Sequence, residues 1–310
     1  MESLLVIGHL TRDRVRLSRS LSYMEAPGGS SFYTSLVTSS LGVDTKVLSK
    51  VGEDYPSHYL EMLRDRLIDT SLIRKTCLPT TTFELTYDDR GGRSLRVLSI
   101  CEEIRLEDCR DIDEDWAVHI GSVVDEVAHE AYGLLSRRAR FVSMDAQGIV
   151  RFIDRYGIVR LKTPNDASFL EGVGLLKATD DELMHLFDAG SLVEAAKSFF
   201  KIAGGESLLT VTLGKLGCLL LTRREIYRAP AYPVGKVGDP TGAGDALVGG
   251  VVSSILRGED LDYALAVGAA SASFCVEKAS VHGFSIDSSL GERVQWLYSR
   301  IRREPRHPVS

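Results

Sequence analysis

The sequence has little cysteine, and none of it is paired in a motif. Five cysteines are scattered over 310 residues and no CxxC occurs. That excludes a disulfide framework and predicts free buried thiols in a reducing compartment. The seven histidines form no HExxH and no close ligand cluster, which argues against zinc. The N-terminal apolar run, Leu4 to Ile7, is too short for a signal peptide or a membrane span. It predicts a first buried strand in a cytoplasmic protein. Basic charge is not in excess either. Against 37 Lys and Arg stand 43 Asp and Glu, a net of −6, whereas a general nucleic-acid binder shows a basic surplus. The one basic cluster, Arg300, Arg302, Arg303 and Arg306, reads as a solvated helix end and tail. No GxxxxGK[ST] occurs and no GxGxxG follows the first strand, so neither a Walker-type NTPase nor a dinucleotide-binding fold is indicated.

What is present is an ordinary globular composition, 44% hydrophobic and 26% charged. The length allows about two domains at roughly 150 residues each, but a single α/β unit of this size is common, and no linker interrupts the chain. We read residues 1–310 as one domain. Short apolar runs alternate with amphipathic stretches. Strands are expected at Leu4–Gly8, Thr45–Val51, Ala117–Gly121, Phe141–Asp145, Leu175–Thr179, Leu208–Thr212 and Cys218–Thr222. Helices are expected at Ser30–Leu41, Pro56–Leu67, Glu126–Arg138, Asp180–Phe187 and Leu192–Ala203, then after Pro240 to Gly258 and from Leu261 to about Val276. This alternation predicts an α/β fold with a doubly wound, mainly parallel sheet flanked by helices. Thr80–Ser99 breaks the rhythm. Phe83, Leu85 and Tyr87 alternate with polar residues, DDRGG forms a turn, and Leu95 and Val97 alternate again. That is a β-hairpin with one apolar face, which needs something to cover: an active site or a second copy of the chain.

GDPTGAGD, Gly238 to Asp245, carries the strongest chemical signal. Gly242, Ala243 and Gly244 open a helix whose first amides lack intrahelical partners and sit at the positive end of its dipole, so the turn suits an anion. An isolated aspartate at such a position merely steadies the dipole. Beside an anion cradle, Asp245 can take a proton from a hydroxyl while the amides receive charge on a transferring phosphoryl group.

At these residues the chain resembles the ribokinase-like, or PfkB, carbohydrate kinases. GDPTGAGDALVGG matches their C-terminal signature. PGGSSFYTSLVTSSLG and KVGEDYPSHYL match the N-terminal one, and TVTLGKLGCLLL their nucleotide-binding strand and turn. The resemblance implies a doubly wound α/β domain with a small β lid, here about 14–24 and 78–101. It implies transfer of the ATP γ-phosphate, with Mg²⁺, to a hydroxyl of a sugar, polyol or nucleoside, and leaves room for a monovalent cation. By position, it makes Asp245 the catalytic base and Gly242, Ala243 and Gly244 the anion hole. Asp13, Gly28 and Gly29 become substrate ligands. Thr179, Thr212, Gly214 and Gly217 line the nucleotide site, with Gly268 and Ala272 near the adenine. Asp13, Asp145, Thr179 and Thr212 all fall at or beyond expected strand ends, where ligands of open α/β sheets bind.

Two departures stand out. Where the family often has asparagine after its glycine pair, this chain has Tyr33, and the family's NxxE element appears as Thr179-Asp180-Asp181-Glu182. Glu182 is therefore an indirect magnesium residue or simply part of a solvated helix start. SMDAQGIVR and LLKATDDE are similar to the myo-inositol kinase branch. On that resemblance Asp145, Gln147 and Arg151 would hold a cyclitol, although Arg151 also reads as a surface arginine. Phe32, Tyr33 and Phe83 would equally serve to stack a nucleoside. The expected partner is a small molecule, with neither nucleic acid nor membrane, and a homodimer through the apolar face of the lid is compatible with the pattern.

Overall fold

Side-chain parity along the first strand sets the architecture. In β1 (Ser3–Ile7), Leu5 and Ile7 face one core while Leu4 and Val6 face another, so the strand is buried on both sides. The computed structural model describes residues 2–16, 23–87, 93–110, 112–235, 237–238, 240–277 and 284–306. The DDRGG turn, residues 17–22 of the expected lid, and Asp239 lie outside these.

Six more strands align parallel with β1 in a central sheet: β4 (Asp44–Gly52), β5 (Asp69–Thr76), β8 (Ala117–Ile120), β9 (Phe141–Asp145), β12 (Leu175–Thr179) and β13 (Leu208–Thr212). Three antiparallel strands complete it: β14 (Cys218–Leu221), β15 (Glu225–Ala229) and β16 (Arg302–Pro305). The order is β16-β15-β14-β13-β12-β9-β8-β1-β4-β5. One face is covered by α3 (His129–Arg138), α5 (Asp180–Phe187) and α6 (Leu192–Ala203). The other is covered by α1 (Ser30–Ser40), α2 (Ser57–Arg64), α7 (Ala243–Leu256), α8 (Leu261–Glu277) and α9 (Leu290–Tyr298). This is the expected doubly wound sheet.

A second, four-stranded sheet is built from β2 (Thr11–Arg16), β3 (Met24–Gly28), β6 (Thr82–Tyr87) and β7 (Arg93–Ser99), in the order β3-β2-β6-β7. The β6–β7 pair is the hairpin expected from the alternation at Thr80–Ser99. Its apolar face packs on Val123 and Val124 of the same chain, together with Val15, Leu95 and Val97. A short hairpin, β10 (Arg151–Ile153) with β11 (Val159–Leu161), reaches back to this sheet, where the Val97 amide donates to the Gly157 carbonyl at 2.8 Å.

One expected helix begins later than its pattern suggested. Glu126 does not open α3, which starts at His129. Its carboxylate turns inward instead and accepts from the amides of His9, Val123 and Val124 and from the Ser122 hydroxyl, all between 2.8 and 3.1 Å. A carboxylate at 3% exposure needs such donors, and the 122–124 segment with the His9 amide supplies them. The small residues of α8 face another helix: a side chain at Gly268 would meet Val251 and the Leu247 carbonyl of α7 at 2.6–2.7 Å.

Candidate active site

Chain reversal at the ends of the parallel strands delivers the site. The segments following β1, β8, β9 and β12 bring Thr11 and Asp13, Val123, Gln147 and Arg151, and Glu182 to one cavity of about 220 Å³, and the end of β13 adds Thr212. The small sheet closes it from above with Phe83, Leu85 and Leu95, and the start of α7 closes it from the side with Gly242, Gly244 and Asp245. This is where physical reasoning places a ligand in an open α/β sheet.

Gly242 is the N-cap of α7 and has a left-handed φ of 83°, which only glycine adopts freely. A side chain there would run into the Tyr33 ring, so Tyr33 underpins the turn that the glycine makes. The amides of Gly244 and Asp245 have no acceptor among the described residues, as a helix start predicts. Asp245 lies in this first turn, and its buried Oδ1 has no hydrogen-bond partner among the described residues. An acceptor without a donor at the wall of a cavity is open to a hydrogen bond from whatever occupies it.

Beneath it lies a buried charge network. Lys177 Nζ donates to Asp145 Oδ2 at 2.9 Å, and both side chains are almost wholly buried. A Cβ on Gly244 would sit 2.8 Å from that ammonium, so Lys177 reaches the first turn of α7 because residue 244 is glycine. Burial opposes the Lys177 charge, but Asp145, Glu182 and Asp245 outweigh it and raise its pKa above the ordinary value. Burial pushes the Asp145 carboxyl up to about 6 against the pull of Lys177. Glu182 and Thr179 form a capping box at the start of α5, and Glu182 Oε1 pairs with Arg151 at 3.0 Å. Burial opposes the Glu182 charge too, and Arg151 and Lys177 together hold its carboxyl below the usual range.

The residues singled out from the sequence separate into those at the cavity and those that support it. Asp13, Gly29, Gln147, Arg151, Thr179, Glu182, Thr212, Gly242, Gly244 and Asp245 line it. Gly28 lies behind Asp13, since a side chain there would strike the Asp13 carboxylate. Asp145 sits under Lys177 and is not part of the lining. Ala243, Gly214, Gly217 and Ala272 are not in the lining either, and Gly268 is taken up by the contact of α8 with α7. Arg151 is no loose surface arginine, and Glu182 is no solvated helix start. Sequence reasoning missed Lys177. Its signal was a lysine inside the otherwise apolar strand LLKAT, since a charge buried there needs a purpose or a partner.

Among the described residues no group of three or more His, Cys, Asp or Glu is placed to hold a metal ion. Both Glu182 oxygens are already engaged. The donor set thus fits magnesium arriving on phosphate oxygens, the usual mode for this ion, rather than a cage of side chains. No helix among the described residues is long and apolar enough to cross a membrane.

A family model described as pfkB family carbohydrate kinase matches residues 1–287. Inositol 3-kinase of Arabidopsis thaliana is 27% identical over 279 residues, covering 88% of this chain and 73% of the relative. Inositol 3-kinase of Oryza sativa subsp. japonica is 27% identical over 324 residues, covering 97% and 74%. Among solved structures, a pyrophosphate-dependent myo-inositol-1 kinase, converted into a myo-inositol-3 kinase by replacing an asparagine and a serine with leucine, superposes with a TM-score of 0.79. It is 23% identical and covers 94% of this chain and 98% of its own.

Proposed function

This chain belongs to the pfkB family of carbohydrate kinases, and we propose that it transfers the γ-phosphoryl group of ATP to a hydroxyl of a cyclitol, with myo-inositol the leading substrate. The observation that carries the reading is the unpartnered Asp245 Oδ1 beside the Gly244 amide and the Lys177 ammonium. Asp245 takes the proton of the attacking hydroxyl. The first-turn amides of α7 and Lys177 receive the charge of the transferring group in a site largely shielded from water, where such donors act most strongly. Magnesium, where the donor brings it, would supply further charge neutralisation. Arg151 holds Glu182, and Glu182 and Asp145 in turn keep Lys177 charged. The small sheet acts as a lid that keeps water from the phosphoryl group.

The acceptor is read from the walls. Asp13, Gln147 and Arg151 offer the donors and acceptors a polyol needs, and the inositol 3-kinases matched over most of the chain support a cyclitol. This chain also presents two leucines to its cavity, the residue type gained by the converted myo-inositol kinase. A second reading, a nucleoside acceptor, is favoured by Phe83 and Tyr33 in the lining. A noncatalytic metabolite binder is the third.

The test is ADP release with Mg-ATP across myo-inositol, ribose, fructose, fructose 6-phosphate, adenosine, guanosine and cytidine, with ADP and pyrophosphate as alternative donors. Preference for myo-inositol sustains the reading. Preference for a nucleoside transfers it to the second, and turnover of none leaves the binder. The Asp245→Asn variant is expected to lose about 10²–10⁴-fold in turnover while still binding nucleotide, the usual size of a general-base effect. Turnover near wild type would remove Asp245 from the role of base.

A further inference from the structure

The central sheet holds a histidine whose hydrogen-bonding capacity is half used. Val118 and Ile120 of β8 point into the core under α3, α5 and α6, so His119 between them points to the opposite face. It is wholly buried. Nδ1 meets Oγ of Ser143, the residue paired with it on β9, at 3.0 Å. Nε2 has no partner among the described residues. Burial and the nearby Lys177 push the ring down to about 3, so it is neutral, and Nε2 is left with one hydrogen bond to make. A second such atom faces it. Ser30 is the first residue of α1, and its buried Oγ also lacks a partner among the described residues. Gly121 lies between the two: a Cβ there would sit 2.8 Å from Ser30 Oγ and 3.3 Å from His119 Nε2. Glycine keeps that space free of a side chain. Ser30 lines the cavity together with Asp13, Gly29 and Asp245. Ser31 supplies the contrast. Its Oγ is buried and unpartnered among the described residues too, but it lies against Gly8, where a Cβ would meet it at 2.7 Å, and it is not in the lining.

We propose that Ser30 Oγ and His119 Nε2 together bind one hydroxyl of the phosphoryl acceptor. This rests on the reading of the chain as a kinase of a polyhydroxylated small molecule. Two buried polar atoms with open capacity beside a ligand cavity call for a group that both donates and accepts, and a hydroxyl is that group. The hydroxyl bound here is not the one that reacts, since that one meets Asp245. Its part is to fix the acceptor at the level of β8 while the reacting hydroxyl lies at the start of α7. An acceptor without it would leave both protein atoms buried and unpaired. A site of this kind rejects the analogue lacking a hydroxyl far more strongly than an apolar wall rejects an added one.

The experiment couples a missing side chain to a missing hydroxyl. kcat and KM are measured with Mg-ATP for wild type, Ser30→Ala, His119→Leu, His119→Gln and Ser31→Ala, each with myo-inositol and its monodeoxy analogues. Ser30→Ala is expected to lower kcat/KM at least tenfold, mainly through KM, for myo-inositol and for every analogue but one. For that one, which lacks the bound hydroxyl, the loss should shrink to within twofold. His119→Leu should single out the same analogue. His119→Gln, whose amide can take the place of Nε2, should recover most of the activity. Ser31→Ala removes an equally buried hydroxyl away from the cavity and should single out no analogue. Equal losses for myo-inositol and all analogues in Ser30→Ala and His119→Leu would mean a purely structural role and overturn the proposal. So would a loss below twofold in folded Ser30→Ala with myo-inositol. Ser30→Ala deletes a single oxygen atom and carries the test alone if His119→Leu does not fold. Should wild type prefer a sugar or nucleoside, the cyclitol reading fails, and the same cycle run with deoxy analogues of that acceptor still decides this inference. Turnover of no acceptor fails the reading of function first and takes this inference with it.

Discussion

Two lysines are buried in the central sheet, on strands with three others between them, and the chain treats them differently. Lys50, near the end of β4, is saturated. It reaches Asp108 Oδ2 at 2.8 Å, the Glu103 carbonyl at 2.8 Å and Glu102 Oε1 at 3.2 Å, which uses all three ammonium protons. Lys177, on β12, has one hydrogen-bond partner among the described residues, Asp145. Its remaining capacity is turned to Gly244 and the α7 cradle. A buried cation with all its partners supplied holds the structure together. One with partners withheld is poised for a ligand, and its two further carboxylate neighbours, Glu182 and Asp245, keep it charged until that ligand comes.

The largest effect should separate the two lysines by activity. Neutralising both members of a buried pair is often nearly neutral for stability, whereas removing one strands a charge. The double variant Lys177→Met with Asp145→Asn is therefore expected to fold. It should lose about 10²–10³-fold in turnover, the size of one missing donor to a transferring group. Lys50→Met with Asp108→Asn should keep turnover within about twofold. Equal losses in the two double variants, measured per folded molecule, would erase the distinction.

A smaller effect should separate them by stability. Lys50→Met alone removes three hydrogen bonds, but Asp108 retains Arg74 at 2.8 Å and Glu102 is exposed enough to turn to water. A cost of ~1–3 kcal/mol follows from the loss of a buried donor. Lys177→Met alone leaves Asp145 fully buried without its cation, and ~3–5 kcal/mol is expected. Urea unfolding followed by tryptophan fluorescence gives both numbers. Lys50→Met proving the costlier would reverse the ranking.

The difference between the lysines was not legible in the sequence, and the reason is physical. The fold was legible because parity and caps are local. Leu4 and Val6 alternate with Leu5 and Ile7, Gly42 and Gly204 follow helices, and Phe83, Leu85, Leu95 and Val97 mark one face of a hairpin. The turn Gly242–Asp245 was legible for the same reason, its chemistry being that of one helix start. Lys177 meets Asp145 across 32 positions, Arg151 meets Glu182 across 31, and Glu126 meets the His9 amide across 117. No spacing rule reaches that far. Glu126 and Glu182 both stand in the first turn of an expected helix, and only the folded chain shows that one closes a loop while the other caps a helix and holds an arginine. Asp145 is a substrate ligand only on the resemblance of its segment to the inositol-kinase branch, and the lysine beside it on β12 stands between it and the cavity.

The smallest predicted effect concerns the buried histidine beside Lys177. His119, on β8, is buried, with Nδ1 against Ser143 Oγ at 3.0 Å and Nε2 without a partner among the described residues. Burial and the nearby Lys177 push its imidazole down to about 3, from an ordinary value of 6.5. Between those values the unfolded chain binds a proton that the folded chain refuses. The His119 contribution to stability is thus intact above pH 6.5 and is lost as pH falls toward 3. Asp145, raised to about 6, acts in the opposite sense below that pH, because its folded form takes up the proton first. The two partly cancel in the wild type, which should be flatter in acid than either variant. Replacing His119→Gln removes one side of the balance. Its stability relative to wild type should rise by about 1.4 kcal/mol for each pH unit between roughly 6 and 4, the free energy of one proton per unit. Asp145→Asn should steepen the acid loss instead. Urea unfolding of the three proteins at a series of pH values measures the slopes directly. Parallel curves for wild type and His119→Gln would mean that the imidazole protonates in the folded chain, and that the charge of Lys177 does not reach it.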